Sequence, residues 1–593
     1  MFADTVMETI DIVLSSLSVQ GALKVIALTL RLTAYLFPQQ AYIKDGFSYD
    51  FIVIGGGSAG SVIASRLSEI PHFNVLLIEA GDDPTTEVML PSLYTYIPHS
   101  RLDWNYTSEN GHKCYKKGRI PLTRGRVLGG SSSANYMMYV RGNPHDFQGW
   151  ADAANDDGWN WDHVLPYFIK SERLEDIEVM TSPYARYHGT TGYLGVTRQL
   201  SAVYEKYLDS VRELGHDVVL DTNGYITLGY TQPMMTIAEG VRQNTAYSFL
   251  TPVKDRCNLH VAKNTLVTKI IFDRNKRAIG VEVLTNDNKK ITLKANKEII
   301  LSAGAVNTPQ LLMLSGVGPE KHLRDLNIKN IIDLPVGQGL QDHVLVPLFH
   351  QVERSNQSDG PMDPHTFPNP LVAGYTALNR SQSHPDYQTI TFFLSPYSKG
   401  VLQLLAFHYN YLDAISQAAY DAGKGWRTVM STLVNLHPKS TGEVLLRSTN
   451  PRDPPIINLN YFSDPYDLEN MIKFIEDYIP IEKTTYFRSV NAKFVNIVGD
   501  KCDGFKHRSK EYWRCYILCL ANTLYHYSCT CSIGKVVDSR LRVFGAQGLR
   551  VADASVMPLI TSGNTNAPTI MLAEKAADII KSDYGVLENK HVD

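Results

Sequence analysis

Gly55, Gly57 and Gly60 stand in GxGxxG spacing and Glu79 follows roughly 20 residues later, the pattern by which a chain grips a dinucleotide. The first glycine allows a sharp turn and the second lets a pyrophosphate approach the backbone. The third lets a helix pack on a strand, and the carboxylate can bind both hydroxyls of an adenosine ribose. This set does not separate NAD from FAD. Farther on, the small residues Gly129 to Ala134 would let backbone lie against a flat or charged ligand, and Asn135 adds a donor and an acceptor. Late in the chain Ser562-Gly-Asn-Thr-Asn-Ala-Pro568 opens a helix whose free N–H groups suit an anion or an electron-rich ligand. Cys529 and Cys531 form CxC beside His526, but no second Cys/His cluster accompanies them and no metal site is expected.

The elements that must hold these groups are legible as apolar periodicity. Phe51 to Ile54 is an apolar strand feeding the glycine turn, Val62, Ile63, Ala64 and Leu67 continue at helical spacing, and Asn74 to Ile78 is a strand ending in Glu79. Gly158 to Lys170 reads as a short helix with Trp161, Val164, Leu165 and Phe168 inward, and His188 to Val196 as a strand beginning a separate region. Strands return at Leu259 to Ala262, Leu266 to Phe272, Ile279 to Leu284 and Glu298 to Ser302. Thr308-Pro309 is expected at a helix start, where proline is tolerated. Residues 345–515 carry no glycine fingerprint and read as a substrate-shaping region. Gly548 to Asp553 is a strand with an acidic tip.

Length and composition set the outer bounds. A chain of 593 residues exceeds one compact core, so two or more domains are expected. Its 44% hydrophobic and 20% charged residues and formal net charge of -3 give no case for nucleic acid or an anionic membrane. Gly21 to Phe37 is apolar but broken by Lys24 and Arg31 and preceded by Asp4, Glu8 and Asp11, so it reads either as a signal-like segment or as an extra helix, and no stable membrane span is expected. Secretion or entry to the secretory route is the expectation, with the cytoplasm as the alternative. The seven cysteines exclude a general disulfide framework; Cys502 and Cys515, 13 apart, could close one local bridge, with Cys519 competing for that role. Asn105-Tyr-Thr, Asn356-Gln-Ser and Asn379-Arg-Ser are possible glycosylation acceptors of a glycoprotein.

From Tyr49 to about Lys581 the chain resembles the glucose-methanol-choline (GMC) flavoprotein oxidoreductases. The resemblance is carried by Gly125 to Tyr139, by Gly304-Ala-Val-Asn-Thr-Pro-Gln-Leu-Leu-Met-Leu-Ser-Gly-Val-Gly318, and by the ending from Val536-Val-Asp-Ser-Arg through Ser562 to Lys575, which is similar to the insect branch. It implies non-covalent FAD. The residues implied at the adenosine end are Gly55, Gly57, Ser58, Ala59, Gly60 and Glu79, with Val267 beside adenine. Val127, Gly130, Asn135, Tyr136, Met137 and Met138 are implied near the flavin, and Asp553, Ala554, Asn566 and Ala567 toward its side chain. His526 and Asn564 are implied as the catalytic pair. A neutral imidazole can take the O–H proton of an alcohol while Asn564 holds the substrate for hydride transfer to flavin N5.

The implied fold is α/β: a discontinuous Rossmann-like FAD-binding domain (46–150, 246–340 and 521–585) and an α+β substrate domain with an antiparallel sheet (151–245 and 341–520), after an N-terminal segment 1–45. The expected partners are a small-molecule alcohol and oxygen or another electron acceptor. Ile43-Lys44-Asp45-Gly46 and the altered histidine loop look closest to the ecdysone-oxidase-like group, so an ecdysteroid is the implied substrate, with a sugar or aromatic alcohol as the alternative. A hydroxynitrile lyase and a non-catalytic FAD-binding protein are readings from other classes. The chain departs from the family form HxxGTCxMG: Cys529 stands at the glycine, Ile533 at the methionine, and a short deletion precedes Val536. Ala134 replaces the histidine that some members link covalently to FAD. His343 in Gln341-Asp342-His343 reads as structural.

Overall fold

The computed structural model describes residues 35–109, 113–357 and 363–586, so nearly all of the expected signal-like segment lies outside the described residues. The first layer is a seven-stranded sheet. Strand β1 (Ser48–Ile54) leads through the glycine turn into helix α1 (Gly60–Leu67) and strand β2 (Val75–Ile78). Much later in sequence come β3 (Leu259–Ala262), β4 (Leu266–Phe272), β5 (Ala278–Leu284) and β6 (Lys290–Leu301), then helix α2 (Gly304–Leu314), strand β7 (Leu549–Val551) and helix α3 (Asn566–Asp583). The strand order is β3-β2-β1-β6-β5-β4, with β7 also on β6. Pairing is parallel among β3, β2, β1, β6 and β7, and antiparallel from β6 through β5 to β4. The parallel strands are covered on both faces, which is why Phe51 to Ile54 and Val75 to Ile78 are unbroken apolar runs. The apolar periodicity anticipated these strands closely; β6 begins at Lys290, well before Glu298, because its first half pairs with β5 and its second with β1.

A second seven-stranded sheet is antiparallel throughout, in the order 493–495, 344–354, 426–435, 387–394, 371–376 and 229–231, with 522–523 also on 344–345. The helix expected over Gly158 to Lys170 is Trp161–Ser171, with Trp161, Val164 and Phe168 buried. The strand expected from His188 is shorter, Leu194–Arg198. Among the described residues no helix is long and apolar enough to cross a membrane.

Two expectations are corrected. Helix α2 starts at Gly304, so Pro309 lies inside it rather than in its first turn. Pro309 has no N–H for the carbonyl of Ala305 four residues back, and the Thr530 hydroxyl donates to that oxygen at 2.8 Å instead. Cys502 is bridged to Cys515 as the spacing allows, but Cys519 does not compete for it: it is bridged to Cys114, 405 positions away. No local spacing could reveal that partner.

Helix α3 closes the molecule over α1. Arg66 Nε and Nη2 each donate to the Glu574 carboxylate at 2.8 Å, with the Glu574 side chain wholly buried. Replacing Glu574 with alanine leaves the Arg66 guanidinium only its contact with Glu69 Oε1 at 2.9 Å and is expected to cost up to about 3 kcal/mol. Thr530→Val, which leaves a buried carbonyl without a donor, is expected to cost about 1–3 kcal/mol. Denaturant unfolding of both variants measures the two losses.

Candidate active site

The glycine turn is shaped partly by protein and partly for something else. A Cβ on Gly60 would sit 1.9 Å from the Gly55 carbonyl oxygen, so close packing of α1 on β1 demands glycine there. At Gly57 the nearest atom a Cβ would meet is Gly130 Cα at 3.7 Å, an ordinary contact. Gly57 faces a cavity, so protein packing does not account for its glycine, and the backbone there is open to a ligand. Glu79 at the tip of β2 accepts from Gly56 N and Gly81 N at 2.8 Å each, and burial pushes its carboxyl up to about 7. Ser58 Oγ donates to Asn566 Oδ1 at 2.8 Å, which ties the glycine turn to the start of α3.

Asp553, following β7, holds the opposite wall. One of its oxygens accepts from Gly304 N at 2.9 Å and from the Thr308 hydroxyl at 2.6 Å, and the other from Ser555 N at 2.8 Å. The start of α2 and the end of β7 are thereby locked together, and burial raises the carboxyl above its usual range.

At the far end of the cavity the segments 341–345 and 522–528 run antiparallel, with Leu524 N donating to His343 O and Ser528 N to Gln341 O, both at 3.0 Å. The Asp342 carboxylate organises the loop: it accepts from His526 N at 2.8 Å, from the Thr523 hydroxyl at 2.6 Å and from Tyr461 Oη. His526 is buried, and its Nε2 lies 3.2 Å from Asn564 Nδ2. The other amide atom, Asn564 Oδ1, is buried without a hydrogen-bond partner, so it is free to take a donor from a ligand. His526 Nδ1 is 2.8 Å from Nδ1 of His343, which is wholly buried and off the cavity wall.

Electrostatics keep this imidazole neutral. Burial holds His526 well below the usual histidine range, and the positive charges that His343 and Arg124 carry or would carry push the same way. The Arg124 guanidinium donates to Tyr525 O and lies 4.8 Å above the Tyr527 ring. His343 is pushed down to about 3, first by burial and then by His437. A neutral imidazole facing a cavity beside an amide can accept a proton and orient the group that yields it.

Cys529, at the family glycine position, has φ 71°, the left-handed conformation that favours glycine. Its thiol turns to Gln341 Oε1 at 3.4 Å and takes no part in the cavity wall.

Gly55, Gly57, Ser58, Ala59, Glu79, Gly130, Asn135, Tyr136, Met137, Met138, Val267, Asp553, Ala554 and Asn566 all line the one cavity that also holds His526 and Asn564. Gly60, Val127 and Ala567 stand behind its wall: Gly60 packs on Gly55, Val127 is buried in a bridge to Asp82, and Ala567 is buried in the first turn of α3. Sequence reasoning missed Arg124 and the roof. Arg124 immediately precedes the Gly125 motif, a signal that was present. Ile390, Phe392 and Thr432 project from the second sheet with nothing but alternation to mark them, and His408 and Tyr409 come from the connection between its strands 387–394 and 426–435.

Comparison with known proteins matches two family models, both described as GMC oxidoreductase, over residues 49–345 and 438–573. The ecdysone oxidase of Bombyx mori is 37% identical over 95% of this chain and 86% of the relative, and that of Spodoptera littoralis 36% over 95% and 97%. The glucose dehydrogenase [FAD, quinone] of Drosophila melanogaster is 35% identical over 91% and 88%. Among solved structures, a formate oxidase variant from Aspergillus oryzae RIB40 matches with a TM-score of 0.78 at 25% identity, over 92% of this chain and 100% of that one. Pyridoxine 4-oxidase from Mesorbium loti matches at 0.76 and 26%, over 89% and 98%.

The buried histidines make stability depend on pH in a defined direction. His343 and His408 are held at about 3 and about 4, and His526 also low, against about 6.5 in an unfolded chain. The unfolded chain therefore binds more protons, and the stabilisation is complete above about pH 6.5 and lost as pH falls, by up to about 1.4 kcal/mol per unit for each histidine. Glu79 and Asp342, raised to about 7 and about 6, act in the opposite sense, so the histidine contribution is read by difference: between about pH 6.5 and 4.5 the change in melting temperature is expected to be less destabilising in His408→Gln than in the parent protein.

Proposed function

From the premise that this chain belongs to the GMC oxidoreductase family, and so is an FAD-dependent enzyme acting on the CH–OH groups of alcohols, we propose that its substrate is an ecdysteroid and that His526 and Asn564 carry the proton chemistry. The observation that carries the catalytic assignment is the Nε2···Nδ2 approach of 3.2 Å on the cavity wall, with the spare Asn564 Oδ1 beside it.

The residues present suit FAD. The open backbone at Gly57, the Glu79 carboxylate and the starts of α1 and α3 would hold its adenosine and pyrophosphate portions, and Asn135, Met137, Asp553 and Ala554 the remainder. Ala134 in the wall offers no nucleophile, so the cofactor we propose is dissociable. Bound FAD supplies the hydride acceptor. The alcohol hydroxyl takes the place of Asn564 Nδ2–H at His526 Nε2 and gives its proton there, while the displaced Nδ2–H donates to the alcohol oxygen and fixes it. Arg124, half-buried at the same end and charged as any arginine is at neutral pH, favours negative charge developing in the cavity.

Tyr136, Met138, Ile390, Phe392, Tyr409 and Leu524 give the roof and sides an apolar, aromatic character. Such walls fit a fused hydrocarbon skeleton better than a sugar, which needs a hydrogen-bond partner for nearly every hydroxyl. The ecdysone oxidase relatives support the same reading. The Cys114–Cys519 and Cys502–Cys515 bridges support maturation in an oxidising compartment.

Anaerobic addition of an ecdysteroid is expected to bleach the bound flavin while glucose and benzyl alcohol leave it yellow. Bleaching by glucose alone would refute the substrate assignment. His526→Ala is expected to retain flavin and slow bleaching at least about 100-fold. Peroxide release and reduction of an artificial acceptor, measured side by side, identify the electron acceptor.

A further inference from the structure

A hydrogen bond between two imidazoles carries one proton, and its position decides what each ring can do at its other nitrogen. His526 and His343 are both buried, and the two Nδ1 atoms are 2.8 Å apart. Both rings are held neutral, so one must donate and the other accept. If His343 carries the proton on Nδ1, His526 must carry its own on Nε2, and it then points an N–H rather than a lone pair into the cavity. If His526 carries it on Nδ1, its Nε2 is a free base and His343 has its N–H on Nε2.

The surroundings of the pair select the second arrangement. His343 Nε2 is buried with no hydrogen-bond partner among the described residues, and the backbone carbonyls of Leu436 and Thr561 act on the imidazole in the sense that favours an N–H. At the other end the Asn564 amide nitrogen meets His526 Nε2 as a donor, which calls for a lone pair on the imidazole. The remaining charged or titratable neighbours are Arg124 and His437, which oppose a second proton on either ring, and Asp342, which is spent on the backbone N–H of His526 and on hydroxyls. Among the described residues no carboxylate is hydrogen-bonded to either ring, so His343 fills the orienting place that an acid takes in a Ser-His-Asp triad.

We propose that His343 is a positioning residue: by accepting from Nδ1–H of His526 it holds the base in the tautomer whose Nε2 lone pair faces the alcohol. The proposal rests on His526 being the base. As the proton arrives at Nε2, the same hydrogen bond stabilises the imidazolium, because His343 Nδ1 still accepts from it.

Neutron diffraction from deuterated wild-type holoenzyme tests the tautomer without reference to turnover. Deuterium is expected on His526 Nδ1 and His343 Nε2; deuterium on His526 Nε2 or on His343 Nδ1 overturns the proposal. Rapid anaerobic bleaching tests its consequence. His343→Leu is expected to keep FAD yet lose roughly 10- to 100-fold in bleaching rate, while His343→Asn, whose amide oxygen can accept from Nδ1–H, recovers most of it. Equal losses in the two variants, or a wild-type rate in His343→Leu, would also overturn it. Should the leucine variant fail to hold flavin, the neutron result decides. Undiminished bleaching by His526→Ala would instead refute the base assignment, whatever the neutron map shows for the tautomer.

Discussion

The fold depends on a junction between residues 508 positions apart. Arg66 on α1 and Glu574 on α3 form a two-point ion pair in the core, and one step toward the cavity Ser58 bonds Asn566. Glu69 alone cannot satisfy the guanidinium, because it meets only one of its nitrogens, so the last helix has a strongly preferred seat on the first βα unit. That seat brings the positive end of α3 beside the glycine turn and carries Asn564, just before the helix, to His526.

Around the site, burial does most of the electrostatic work. The same desolvation that raises Glu79, Asp342 and Asp553 lowers His343 and His526, so carboxylates and imidazoles alike are biased toward their neutral forms. Burial lowers Arg124 below the usual guanidinium range, yet an arginine stays charged at neutral pH, and its guanidinium donates to Tyr525 O beside the imidazole. A neutral base and a retained cation in one apolar cavity can take a proton while tolerating negative charge nearby, two requirements that a water-filled cleft would meet poorly.

Where sequence expectation and structure differ, the competing interaction is long-range. Pro309 reads as a helix start because a helical proline normally strands a carbonyl, and Thr530 supplies the missing donor from 221 positions away, the difference between 530 and 309. Cys519 looks like a rival for a nearby cysteine, yet its sulfur faces Cys114. Cys529 looks disruptive where glycine is usual, but the backbone keeps the left-handed conformation and the thiol turns toward Gln341.

The glycine turn, the apolar strands, Glu79 and the helix after Ser562 could be read from the sequence because their causes are local: a tight turn, burial on both faces of a parallel strand, an unsatisfied helix end. The motif order identified His526 and Asn564 as a pair through family resemblance, though nothing local distinguishes a catalytic imidazole from a structural one. Only the tertiary structure showed that Gly60 is required by packing while Gly57 is left open to a ligand, that His343 meets His526, and that Ile390, Phe392 and Thr432 form the roof. Those contacts join two sheets whose strands interleave along the chain, and alternating residues in one strand cannot specify which distant surface they will face.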